Sequence, residues 1–155
     1  MRLGILLSAV TASALIGTRF TPAPGTETGH WYRSLEKSPL NPPPAVFGPV
    51  WTTLYALMAA AGFRIWNTRD RSPERTRALA LWPAQLALNA AWSPLFFGAK
   101  RPDLAMADLT ILMLALIVFV RDASKVDKPA AWMFAPYVAW VAFAGVLNAE
   151  IIRRN

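Results

Sequence analysis

Long stretches without a single charged side chain constrain this chain more than any other feature. Sixteen uncharged residues run from Leu3 to Thr18, 26 from Ser38 to Phe63, 22 from Ala78 to Ala99 and 21 from Pro129 to Ala149. Leu104 to Val120 adds 17 residues interrupted only by Asp108. A helix rising about 1.5 Å per residue needs about 20 apolar residues to cross roughly 30 Å of hydrocarbon. Five runs meet or approach that length, and short basic segments separate them. A helix on a water-soluble core would show a charged face, and these runs show none. The expected fold is all-α: an integral, multi-pass membrane bundle of five transmembrane helices in a single domain, 1–155. The spans are expected at about 3–20, 45–66, 78–99, 103–121 and 130–151, with a lid loop over 21–44. The first run also reads as a signal peptide, with Arg2 ahead of the apolar stretch and Ala12-Ser13-Ala14 as a cleavage site. Its Gly and Ala residues point instead to packing against other helices.

Charge fits a membrane surface better than a nucleic acid. The chain has 16 Lys and Arg against 9 Asp and Glu, a net charge of +7. If five spans alternate, Arg2, Arg64, Arg69, Arg71, Arg75, Arg77, Arg121, Lys125 and Lys128 fall on one side, nine against seven on the other. That difference leans towards a cytoplasmic N-terminus, although it does not say which membrane. The basic residues sit beside the apolar runs, where they face anionic headgroups, and the aromatics lie within the runs rather than among the arginines. No nucleic-acid partner is expected. Cysteine is absent and His30 is the single histidine. Disulfide scaffolds, thiolate or multi-histidine metal sites and Cys-based catalysis are therefore excluded, and no metal site is expected. No internal repeat is visible, which argues against an inverted-repeat transporter built from one chain.

The connection from Thr21 to Pro44 is the longest. It opens with Pro22, Pro24 and Gly25 and closes with Pro39, Pro42, Pro43 and Pro44, which hold the chain extended ahead of the second span. Between them lie His30, Trp31 and Tyr32, rings suited to the membrane interface. Such a loop either caps a site or anchors the chain at the interface.

Polar and aromatic residues recur at helical spacing inside three runs. Trp51, Tyr55, Met58 and Gly62 share one face. So do Gln85, Asn89, Trp92 and Phe96, and likewise Tyr137, Trp140, Ala144 and Asn148. Facing lipid, the amides would lack partners, so the stripes are expected to face inward. Two readings stand side by side: interhelical hydrogen-bonding glue, or a flat aromatic-walled cavity for an apolar ligand. Asp108 either couples to protons, as in small exporters, or snorkels towards Lys100 and Arg101 or caps its helix with Asp103. His30 has the chemistry of a haem ligand but sits in a loop without a second ligand. Small residues four apart (Ala80 and Ala84, Ala87 and Ala91, Ala135 and Ala139) allow close helix contact, including a homodimer through the third run.

Taken in order, the residues resemble a known family. Gly17, Arg19 and Phe20 are followed by Trp31-Tyr32, Leu35, Lys37, Asn41-Pro42-Pro43, Val46-Phe47-Gly48-Pro49-Val50-Trp51 and Leu54-Tyr55. Then come Gln85-Leu86-Ala87-Leu88-Asn89, Trp92, Pro94, Phe96-Phe97-Gly98, Asp108, Pro136-Tyr137, Trp140 and Leu147-Asn148. The set resembles the translocator protein family, also called TspO/MBR, tryptophan-rich sensory or peripheral-type benzodiazepine receptor proteins, over nearly the whole chain.

The resemblance implies a five-helix membrane protein, usually homodimeric, that binds protoporphyrin, haem and related hydrophobic ligands beneath its first loop as tetrapyrrole sensor, scavenger or transporter. No obligatory cofactor is implied. Carried over residue by residue, the ligand-binding set is Trp51, Asn89, Trp92, Trp140, Ala144 and Leu147, with Tyr32, Pro42 and Pro43 in the lid; Tyr55 joins it from the stripe of the second run. Trp51 and Trp140 match two tryptophans that resemble those tied to light-dependent porphyrin breakdown in some bacterial members. They are the catalytic candidates if that chemistry operates; a conventional enzyme is not implied. A proton-coupled exporter using Asp108 is the weaker alternative. Departures are Leu40, Ala45 and Leu104, where the family commonly has Trp, and Ala149 before Glu150, where its sterol motif needs Tyr. Sterol recognition is therefore not expected; Lys128, Phe134 and Val138 match only the reversed form of that motif.

Overall fold

The computed structural model describes residues 2–155, and all regular structure in them is helical. In chain order the helices are α1 (Arg2–Arg19), α2 (Glu27–Ser34), α3 (Pro44–Asn67), α4 (Pro73–Ser93), α5 (Pro102–Val126), α6 (Lys128–Met133) and α7 (Ala135–Arg154). One π-helical turn, Pro94–Gly98, follows α4.

Proline writes many of the boundaries. It stands in the first turn of α3, α4, α5 and α6, where its missing N–H costs no intrahelical bond. Ser72 caps α4 by accepting from the Arg75 N–H at 3.2 Å, and Asp127 caps α6 by accepting from the Ala130 N–H at 2.8 Å. The run expected as one span from 130 to 151 is broken at Phe134, because Pro136 cannot donate back into the preceding turn. Pro94 has the same effect on the run expected over 78–99. The α-helix ends at Ser93 and the chain widens, with the Ala99 N–H reaching the Pro94 carbonyl at 2.8 Å.

The stretch over 21–44 is not only a loop. Thr26 accepts from the Gly29 N–H at 3.0 Å and starts helix α2. A β-carbon on Gly29 would stand 2.0 Å from the Ala23 carbonyl oxygen, so only glycine lets α2 fold back onto the Pro22–Gly25 turn.

In the bundle α4 packs most extensively on α5 and then on α1, whereas α5 also carries α6 and α7. Helices consecutive in the chain thus pack closely for α4 and α5 but only thinly for α3 and α4, each of which also packs on α1. Ala105, Asp108, Leu109, Leu112, Leu116, Phe119, Asp122 and Ala123 form the buried stripe of α5. On its other face Ile111, Leu114 and Ile117 are 54–60% exposed, while Gln85, Asn148 and Asp108 are at most 7% exposed. Apolar side chains outside and amides inside is the arrangement expected with lipid as solvent.

Among the described residues, three segments suffice by length and mean hydropathy to cross a bilayer: Pro44–Asn67, Pro102–Val126 and Lys128–Arg154 taken across its break. The five-span expectation is thus met by three. Helix α1 ends in Arg2 and Arg19, and α4 begins among Glu74, Arg75 and Arg77 and turns Gln85 and Asn89 inward, which lowers the apolarity of both.

One end of the bundle is tied electrostatically. Arg77 grips Asp122 through two bonds of 2.8 and 3.0 Å, Arg64 meets Asp127 at 3.0 Å, and Lys125 meets Glu74 at 3.2 Å. Arg75 donates to the carbonyls of Ile65 and Trp66, and Arg2 reaches Asn67. These links bring α1, α3, α4 and α5 together at the end where the sequence places its larger set of cations. Asp108 neither pairs with Lys100 or Arg101 nor stands in the first turn of its helix. It is 7% exposed and forms no ion pair, and Arg101 is engaged by Asp103 instead.

Candidate functional site

Three helices converge at mid-bundle and bring most of the named residues together. From α3, Trp51 packs against Tyr55 with centroids 5.4 Å apart and edge-on to Trp140 of α7 at 6.3 Å. Tyr137 meets Trp51 at 6.3 Å, and Phe47 closes on the far side of Trp140 at 5.8 Å. Trp51, Tyr55, Trp92, Trp140 and Ala144 are all half-buried against one apolar core. Leu147 is also half-buried on α7. Four-residue spacing on α3 and three-residue spacing on α7 put the rings of each helix on one face, and packing turns the two faces towards each other.

The polar point of this group is Asn89. Its amide donates to the Tyr55 hydroxyl at 2.9 Å and to Ser13 Oγ at 3.2 Å, and Ser13 donates on to the Leu86 carbonyl at 3.3 Å. One amide thereby joins α1, α3 and α4. Sequence reasoning misses Ser13. The available signal is a hydroxyl inside a charge-free run, which needs a partner once buried.

A second aromatic group lies under the lid. The π turn carries Phe96 and Phe97, and the extra residue per turn carries Phe96 inward to 2% exposure. Trp92 stacks on Phe96 at 4.8 Å. Tyr32 of α2 packs edge-on to Phe97 at 5.4 Å and to Phe96 at 6.4 Å, and Trp31 meets Phe96 at 5.7 Å. Tyr32 donates weakly to Asn41 at 3.5 Å; burial raises its phenol above the usual value, so it stays neutral. Pro42 is half-buried beside it, but Pro43 is exposed. The named residues therefore fall into two groups, the α3–α7 group of Trp51, Tyr55 and Trp140 and the lid group of Tyr32 and Trp92.

Several buried polar atoms in the bundle lack a protein partner: Gln85 Oε1, Trp92 Nε1, Asp108 Oδ2, Tyr137 OH and Asn148 Oδ1. Gln85 and Asn148 each place only their N–H₂ group, on the carbonyls of Trp82 and Pro102. Unpaired polar atoms in an apolar interior are rare and point to a further partner. An apolar cleft of about 320 Å³ borders the first group between α3 and α7, lined by Pro49, Val50, Thr53, Leu54, Pro136 and Trp140. Of the named site residues, Trp140 alone lines it. His30 lies on the exposed side of α2, where its Nδ1 faces Arg33 at 3.2 Å.

Leu40 is 62% exposed, and Ala45 and Leu104 are also exposed. None of the three supports the packing of the two groups.

The model of the TspO/MBR family matches residues 5–154. The chain belongs to that family. It is 38% identical over 141 residues to the translocator protein of Bos taurus, covering 90% of this chain and 82% of the bovine one. It is 32% identical over 155 residues to the tryptophan-rich protein TspO of Chlorobaculum tepidum, covering 100% of this chain and 96% of that one. Protein CrtK of Rhodobacter capsulatus is 36% identical over 147 residues, covering 95% and 88%. Membership and the three apolar segments together make this TspO/MBR protein an integral membrane protein. The Trp51, Trp92 and Trp140 walls are thus the interior of a membrane bundle rather than the core of a soluble one.

Proposed function

We propose that the protein binds a porphyrin, protoporphyrin or haem, between the α3–α7 rings and the lid, with all five long helices crossing the membrane. The observation that carries this reading is that Trp51, Tyr55, Trp92 and Trp140 pack against one apolar core, with Asn89 bonded to Tyr55 among them. A flat conjugated ring gains from offset or edge-on contact with indoles, and the unpaired Trp92 N–H offers a donor at its edge. In the bound state the rings part and the ligand takes the place of their contacts with one another. Sensing, scavenging and transport all start from that complex.

The test is a titration of purified protein in nanodiscs with protoporphyrin, followed by Trp quenching in the dark. Saturable binding in the micromolar range or tighter, weakened in Trp140→Phe and Asn89→Ala, supports the reading. Unchanged affinity in both variants refutes the site as drawn.

The 6.3 Å edge-on contact of Trp51 with Trp140 favours a second reading, light-dependent porphyrin breakdown with these two oxidisable indoles beside the macrocycle. Illuminating the complex distinguishes it, since loss of the porphyrin band no faster than in protein-free discs removes it. A homodimer fits the outer face of α4, where Ala80, Ala84 and Ala87 are exposed; cross-linking in nanodiscs tests it.

A further inference from the structure

The lid holds a cation that no side chain neutralises. The Lys37 ammonium donates to the Tyr32 carbonyl at 2.6 Å and to the Leu35 carbonyl at 3.0 Å, and it sits 4.6 Å from the centroid of the Tyr32 ring. Lysine normally keeps its head in water on a flexible stem; here two carbonyls and a ring face fix it. An ammonium has three N–H donors, so one remains. Every ion pair among the described residues engages some other cation. Burial pulls the Lys37 pKa below its ordinary value with no carboxylate to oppose the shift.

Its position links it to the aromatic group. The Tyr32 ring that carries the ammonium also packs on Phe96 and Phe97, and Phe96 stacks on Trp92. Neighbouring cations are otherwise engaged. Lys100 is held by Glu27, and Arg33 faces His30 on the exposed side of α2.

We propose that Lys37 is the carboxylate-binding residue of the site, receiving an acid group of a ligand whose apolar plate lies on the aromatic side chains beneath the lid. The inference rests on the porphyrin reading and narrows its ligand class to acid-bearing tetrapyrroles over their neutral esters. The carboxylate takes the third N–H and supplies the missing counter-charge, a charge-assisted hydrogen bond at a partly desolvated position.

The experiment compares protoporphyrin IX with its dimethyl ester, in nanodiscs of zwitterionic phosphatidylcholine so that lipid charge does not compete. Wild-type protein, Lys37→Met and Lys37→Arg are titrated by Trp quenching. A hydrogen bond to a charged group supports a preference of about tenfold for the acid in the wild type. Lys37→Met loses that preference by weakening acid binding about tenfold while leaving ester binding unchanged, and the unchanged ester affinity shows that the lid is intact. Lys37→Arg keeps most of the preference. Equal binding of acid and ester to the wild type overturns the inference and leaves the porphyrin reading standing. Equal weakening of both ligands in Lys37→Met overturns it too, because Lys37 then serves only to hold the lid. If neither acid nor ester saturates the wild type, the porphyrin reading fails and the inference falls with it.

Discussion

Replacing Gly62 by alanine tests how the α3–α4 contact sets the register of the site. A β-carbon at Gly62 would stand 2.6 Å from Trp82 Nε1 and 2.8 Å from Cε2, closer than real contacts allow. Trp82 is 5% exposed and donates to the Met58 carbonyl at 2.9 Å, so its ring has little room to retreat without breaking that bond. Overpacking of this kind costs about 1–3 kcal/mol, and a lost hydrogen bond about 1 kcal/mol more. The better helix propensity of alanine returns about 1 kcal/mol. The net loss is about 1–3 kcal/mol, or roughly 3–10 °C in melting temperature for a domain of this size. Trp82 lies one and two turns before Gln85 and Asn89, so the same displacement lengthens the 2.9 Å bond from Asn89 to Tyr55 and lowers porphyrin affinity. Thermal melting in detergent by near-ultraviolet circular dichroism reads the stability. Gly48→Ala and Gly145→Ala, where an added β-carbon meets nothing within 4 Å, are the controls. Combining Gly62→Ala with Trp82→Phe relieves the clash and costs less than the sum of the two single changes. If Gly62→Ala melts with the controls, the close approach of these helices does not carry the register.

Asn89→Ala and Tyr55→Phe, combined in a double-mutant cycle on melting, show a coupling of about 1 kcal/mol, since each removes one side of the same bond; additive effects would mean that the two groups do not meet. Asp108→Leu removes an unpaired buried acceptor and raises stability by about 1–3 kcal/mol. A lower melting temperature in that variant would reveal a partner for the carboxylate. The Lys100 hydrogen bond and charge hold the Glu27 carboxyl below its ordinary 4.5. A lowered carboxylate pKa stabilises above the unfolded value and ceases to as pH falls through the folded one. The protection factors of the α2 amides, taken relative to the intrinsic exchange rate at each pH, should therefore fall below about pH 4.5 in the wild type, while in Glu27→Gln they are low throughout; protection in the wild type that does not change with pH refutes the clasp.

Much of the bundle is legible in the chain because lipid and water impose opposite rules on charge. The runs ending at Phe63, Val120 and Ala149 mark α3, α5 and α7, although α5 continues to Val126 through Asp122, whose charge is answered by Arg77 from another helix. Helix α2 escapes the reading because two of its signals, Thr26 as cap and Gly29 for close approach, lie inside a stretch dominated by proline. The π turn escapes because a proline such as Pro94 announces only a break. Whether the chain narrows, kinks or widens there depends on what Phe96 finds to pack against.

Spacing along α3, α4 and α7 places Trp51, Tyr55, Asn89, Trp92 and Trp140 on common faces, a consequence of the helical repeat alone. Charge-free length marks the apolar segments, and the ordered motifs mark the family. What spacing cannot set is which faces meet. That α1 packs beside α4 so that Ser13 reaches Asn89, that Arg77 reaches Asp122 from another helix, and that Lys37 rests on Tyr32 without a counter-charge are all relations between residues distant in sequence or separated by an irregular loop. Packing of side-chain volumes decides them, because a sequence fixes the direction of a side chain around its own helix but not the rotation of that helix against its neighbours.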